Sequence, residues 1–170
     1  MEFFDVIKSR HSIRAFIDRP VEADKIRKVL EAANSAPSAH NAQNYVIFLM
    51  EGKNKTAKLK SAAKQEFVYT APAVLVFCAN IETEDKDSKR PLPNIFPVQD
   101  ATIAASYAQL AVTALGLGCV WVGSFDPDKL SEAVGAPKTL APVMLMPIGY
   151  PAENPAPKPR KKLEDIVHRV

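Results

Sequence analysis

Hydrophobic positions along the chain alternate between helical and strand spacing, and each change of period marks an element boundary. Phe3, Phe4 and Ile7 place one apolar stripe on a short first helix. Ile26, Val29, Leu30 and Ala33 recur at the spacing of a second helix. Pro37 stops it, because the residue before a proline is pushed out of helical geometry. Tyr45–Glu51 has the β-branched and aromatic content of a strand, whereas Leu59, Ala62 and Ala63 set a weak stripe on a lysine-rich surface helix. Ala73–Ala79 is a continuous apolar run between Pro72 and Asn80, the pattern of a central strand covered on both faces.

Glu82 to Pro97 is polar, charged and proline-containing, and predicts a loop that is long for a compact domain. From Gln99 to Leu117, Ile103, Tyr107, Leu110, Ala111 and Ala114 fall at helical spacing with small residues between them, which predicts a helix buried nearly all round. Cys119 to Gly123 reads as a short inner strand. A small helix is then delimited by Asp126 as N-cap, Pro127 at the first position and Gly135 beyond the last. Val143–Ile148 is a further apolar strand. Pro151, Pro155, Pro157 and Pro159 make the following tail extended, and Leu163, Ile166 and Val167 at its end need a docking site that a second subunit would offer.

Composition narrows the classes without choosing one. A chain of 170 residues is the size of a single domain, and 47% apolar with 24% charged residues describes a soluble globular protein. Twenty-two Lys and Arg against nineteen Asp and Glu leave a net charge of +3, with no basic run interleaved with aromatics, which argues against a nucleic-acid ligand. No apolar run reaches bilayer-spanning length and no leader pattern opens the chain, so no membrane is expected and the cytoplasm is the expected location. Cys78 and Cys119 each sit in an apolar run and are expected as buried thiols.

Two motifs carry candidate chemistry. Arg10-His11-Ser12-Ile13-Arg14 offers two guanidiniums and a hydroxyl suited to a phosphate, the alternative being a solvated basic face. Ser38, Asn41 and Gln43, in Ala36-Pro37-Ser38-Ala39-His40-Asn41-Ala42-Gln43-Asn44, both donate and accept, as the edge of a heteroaromatic ring requires. A polar turn joining helix to strand is the plainer reading of that stretch alone. Gly116-Leu117-Gly118 is not a dinucleotide fingerprint, since Trp121 stands where the third glycine belongs and a helix precedes it instead of a strand. No metal-ligand pair or nucleophile elbow is present, and His11, His40 and His168 are scattered.

Taken together, the motifs resemble the nitroreductase family, the FMN-dependent homodimeric oxidoreductases. The resemblance rests on Arg10–Arg14, on Ala36–Gln43, and on Leu115-Gly116-Leu117-Gly118 followed by Val120-Trp121-Val122-Gly123. Pro147-Ile148-Gly149-Tyr150-Pro151 and Lys158-Pro159-Arg160 complete it, all in the family's order. It implies one α+β domain over residues 1–170, a mixed or antiparallel sheet flanked by helices, and residues 151–170 as a tail crossing to the partner of a homodimer. It also implies Arg10, Ser12 and Arg160 on the FMN phosphate, with His11 and Lys158 beside them, and Arg14 toward the ribityl chain and pyrimidine edge. Asn41 would meet the ring edge, Pro37 and Ser38 would reach the flavin of the other subunit, and the Gly123 backbone N–H would lie near flavin N5. The implied activity passes hydride from NADH or NADPH through the flavin to a small electron-poor acceptor such as a nitroaromatic, a quinone or a flavin, in two half-reactions. The alternatives are a non-catalytic FMN-binding or storage protein and a family branch that puts the flavin to another reaction. The chain departs from the family in having Asn44-Tyr45 after Gln43 where Pro-Trp is usual, and only residues 82–97 where larger relatives insert helices.

Overall fold

The computed structural model describes residues 2–82 and 95–170. Its centre is a four-stranded antiparallel sheet of β1 (Tyr45–Glu51), β2 (Ala73–Asn80), β3 (Gly118–Cys119) and β4 (Leu140–Gly149), in the order β1-β2-β4-β3. The helices are α1 (Phe3–Ser9), α2 (Ala23–Asn34), α3 (Lys53–Thr56), α4 (Glu66–Tyr69), α5 (Phe96–Ala114) and α6 (Pro127–Val134). Successive side chains of a strand point to opposite faces, so Leu75 and Phe77 of β2 pack with α2 and α5, while Val74, Val76 and Cys78 pack with α4, α6 and Leu59. Helices thus cover both faces of the sheet. That explains why β2 reads as an unbroken apolar run although the sheet is antiparallel.

Local chemistry sets several boundaries where the sequence places them. The Asp126 carboxylate accepts the Lys129 N–H at 3.1 Å as N-cap of α6, Pro127 opens the helix, and Gly135 closes it in the left-handed conformation. Tyr150, just past β4, donates its hydroxyl proton to Glu22 at 2.5 Å and accepts from the Lys25 ammonium at 2.8 Å, tying the sheet's end to the start of α2. The Tyr150 bond is the main reason the Glu22 carboxyl is held down at about 2.

Three expectations are corrected. The lysine-rich segment forms no continuous helix: α3 is four residues long and passes into a 3-10 turn over Ala57–Ser61, although Leu59, Ala62 and Ala63 are buried as expected. In α1 the stripe Phe3, Phe4 and Ile7 is exposed and Val6 is the buried residue. α5 is not buried all round either. Ala101, Ala104, Ala105, Ala108 and Val112 face the sheet and α2, and Tyr107 stays exposed with Ile103, Leu110 and Ala111 half-buried. Small side chains let the helix approach its neighbours closely, and the larger ones are left on the side that the described residues cover only in part. α5 also begins earlier than expected, with Phe96 and Pro97 in its first turn. Of the expected loop Glu82–Pro97, residues 83–94 lie outside the described residues.

Candidate functional site: a cationic cleft and a ring-edge loop

The two ends of the chain are stitched together by backbone hydrogen bonds. Ser12 pairs with Cys119 in a parallel bridge, and the Ile13 N–H donates to the Cys119 carbonyl at 3.0 Å, so residues 10–14 lie along β3. Gly118 makes this approach possible: a Cβ there would stand 2.8 Å from Ile13 Cγ1. On the other side Phe16 pairs with Pro151, the Ile17 N–H donates to the Tyr150 carbonyl at 2.8 Å, and the Ala152 N–H donates to the Ala15 carbonyl at 2.9 Å. Glu153 accepts the backbone N–H groups of Arg14 and Ala15 on its side-chain oxygen. From there the tail runs extended toward Arg160.

This stitching builds a cleft of about 430 Å³ lined by Lys8, Arg10, His11, Ser12 and Arg14 from one end and by residues 155–158 and Arg160 from the other. Among the described residues no carboxylate lines it. Among the described residues Arg10, Arg14, Lys158 and Arg160 form no ion pair, and the Ser12 hydroxyl has no hydrogen-bond partner. Cations gathered without a counter-charge repel one another, and an anion seated among them relieves that repulsion. Beneath the cleft, burial pushes the Cys119 thiol up to about 12, with the Arg10 charge pulling only partly against it.

The loop between α2 and β1 is built differently. His40, Asn41 and Gln43 all have φ between 45° and 56°, a left-handed conformation costing roughly 1–2 kcal/mol for each residue with a side chain, least for asparagine. Hydrogen bonds hold it: the Gln43 N–H donates to Ser38 Oγ at 3.0 Å, and the Gln43 amide donates to Asn41 Oδ1 at 2.7 Å. The carboxylate of Asp100 in α5, only 1% exposed, accepts the Ala39 N–H at 2.9 Å and the Asn44 N–H at 3.3 Å.

Of the expected site residues, the structure brings Arg10, His11, Ser12, Arg14, Lys158 and Arg160 to one cleft. Pro37, Ser38, Asn41 and Gly123 do not line it. Gly123 is exposed, and a Cβ added to it would meet nothing within 4 Å, so crowding inside this chain does not call for glycine there. One residue further on, the Ser124 carbonyl accepts from Gln65 Nε2 at 3.4 Å, and Gln65 Oε1 is sealed from solvent with no donor. Sequence reasoning missed both Gln65 and Asp100. Asp100 left a trace, as the one acidic residue between Gln99 and Leu117; Gln65, between Lys64 and Glu66, left none.

The chain is thus an α+β sheet covered on both faces, with a cationic cleft lined by residues from its two ends. The Nitroreductase family profile matches residues 7–67 and 51–150. The "FMN reductase [NAD(P)H]" of Bacillus subtilis (strain 168) is 34% identical over 182 residues, covering 97% of this chain and 73% of that protein. A "Putative NADH dehydrogenase/NAD(P)H nitroreductase" of Methanothermobacter thermautotrophicus is 32% identical over 91% of this chain and 80% of that protein. The crystal structure of a nitroreductase family protein from Clostridium difficile 630 superposes with a TM-score of 0.86 at 32% identity, covering 99% of this chain and 98% of that one. The chain belongs to the nitroreductase family. None of its described helices is long and apolar enough to cross a membrane.

Proposed function

We propose that the protein is an FMN-dependent oxidoreductase that takes hydride from NADH or NADPH and passes it to a small electron-poor acceptor, a nitroaromatic, a quinone or a free flavin. The observation that carries this reading is the cleft where Arg10, Arg14, Lys158 and Arg160, unpaired among the described residues, meet from both chain ends with no described carboxylate between them. Its donor set fits a phosphate monoester: forked guanidiniums, an ammonium and a free hydroxyl. Bound there, FMN supplies the hydride chemistry at its N5, so the chain needs no nucleophile of its own.

The residues divide the remaining work. Arg10, Ser12 and Arg160 hold the phosphate, with His11 and Lys158 beside them, each charged hydrogen bond contributing about 1.5–3 kcal/mol. Arg14 faces the ribityl chain and the pyrimidine edge, where a fixed positive charge favours an electron-rich ring. The open surface at Gly123 lets its backbone N–H come close to N5. Asn41 meets the ring edge, and Pro37 and Ser38, which do not line the cleft of their own chain, serve the flavin of the partner subunit in a homodimer.

The test is a visible spectrum of the purified protein after FMN addition and desalting, followed by anaerobic titration with NADH and with NADPH. Retained flavin that bleaches rapidly with either reductant is the expected result. A protein that keeps no FMN overturns the cofactor assignment; one that keeps FMN but bleaches with neither reductant is a carrier.

A further inference from the structure

We infer that Asp100 is a positioning residue for flavin binding, acting through the loop between α2 and β1 and never touching the cofactor. The inference rests on the FMN reading proposed above. Its first support is geometric: the two carboxylate oxygens are divided between the two ends of the loop, Oδ1 accepting the Ala39 N–H at 2.9 Å and Oδ2 the Asn44 N–H at 3.3 Å. Between these anchors lie His40, Asn41 and Gln43 with positive φ. Strained backbone persists only where its surroundings over-determine it, and such sites cluster where a ligand is gripped.

The second support is placement. Asp100 is in the fifth position of α5, near the end whose unpaired N–H groups favour negative charge, and it is 1% exposed in a helix whose inner face is otherwise mainly alanine. An acid buried on such a face adds no packing that alanine would not, and its desolvation is offset by the hydrogen bonds it makes. Both go to the loop. His40 adds an edge-to-face contact with Phe96 at the start of the same helix, so α5 sets the loop's ends and braces its middle. The loop in turn carries Asn41, the residue assigned to the ring edge. The Asn44 anchor needs a backbone N–H, so a proline at 44 would lose this hold on the loop.

The experiment compares Asp100→Asn, Asn41→Ala and the double variant by FMN dissociation constant from fluorescence quenching, together with the flavin absorption maxima and thermal unfolding. Asp100→Asn preserves shape and removes charge; it is expected to weaken FMN about tenfold and shift the visible maxima toward those of free FMN. In the Asn41→Ala background the same change is expected to cost less than threefold, because the contact it positions is already gone. Ala39→Pro tests the bond from its other end, leaving Asp100 intact. Ser38 before it has φ −138° and ψ 159°, a conformation compatible with a following proline, and the variant is expected to reproduce the spectral shift. If Asp100→Asn lowers thermal stability but keeps wild-type FMN affinity and spectrum, Asp100 is structural only and the inference fails. Equal losses with and without Asn41 overturn it too. A wild-type protein that binds no FMN would instead sink the functional reading, which the same titration reveals separately.

Discussion

At the scale of single residues, Arg10 and Arg160 come from opposite ends of the chain and face the same cleft. Replacing either by alanine is expected to weaken FMN about ten- to a hundredfold with little change in unfolding midpoint, because neither side chain has an ion-pair partner in the described structure to lose. Equilibrium dialysis against FMN checks the first half and urea unfolding the second. The two cysteines give a prediction of the opposite kind. Burial pushes Cys78 up to about 11 and Cys119 up to about 12 from an ordinary value of 9.0. The folded protein therefore binds these protons more tightly than the unfolded chain, so stability is full below pH 9 and falls as pH rises from there toward 12. A thiol reagent at pH 8 is expected to find neither cysteine in the native protein and both in denaturant. Rapid labelling of the native state would show that the thiols are reached by local opening.

Elements rich in local signals were legible in the sequence, and those fixed by neighbours were not. β1 matches its expected span Tyr45–Glu51, and α6 keeps the cap, proline and glycine that announced it, since each of these is a short-range effect. The outward side of α5 was misread, because periodicity tells which residues share a face but not which face the rest of the chain covers. Arg10, Ser12 and Arg14 were legible as types suited to phosphate, whereas His11, Lys158 and Arg160 entered only through the family resemblance; the meeting of all six depends on long-range pairing of residues 15–17 with 150–152, which no local pattern encodes. That pairing can be tested through Glu153, which accepts two backbone N–H groups from the motif strand. Judged by charge alone, removing a carboxylate near a phosphate site should tighten FMN. Judged as a tether, its loss should free the tail and weaken FMN. Glu153→Ala is expected to weaken binding about tenfold and Glu153→Gln less, since the amide keeps an acceptor oxygen. Tighter binding in both variants would mean that the electrostatic term wins and the tail holds without this contact.

For the whole molecule, the proposed homodimer accounts for two separate observations at once. Apolar side chains stand in water on α1 (Phe4, 72% exposed), on α5 (Tyr107, 43%) and near the chain's end (Leu163, 71%), more exposed apolar surface than isolated residues explain. Meanwhile Pro37 and Ser38 do not line the cleft of their own chain. A seam that covers the first set and delivers the second to the neighbouring flavin needs the tail beyond Arg160 as part of its surface. Deleting residues 161–170 separates seam from cleft, because Arg10, Arg14, Lys158 and Arg160 all remain. The truncated protein is expected to sediment with the mass of one chain where the full chain sediments with twice that mass, and to bind FMN at least tenfold more weakly. Its remaining affinity should fall with added salt more steeply than the full chain's, since phosphate contacts would then carry a larger share of the binding. A truncated protein that stays dimeric with unchanged FMN affinity would place the subunit seam elsewhere and leave the tail's apolar end without its assigned role.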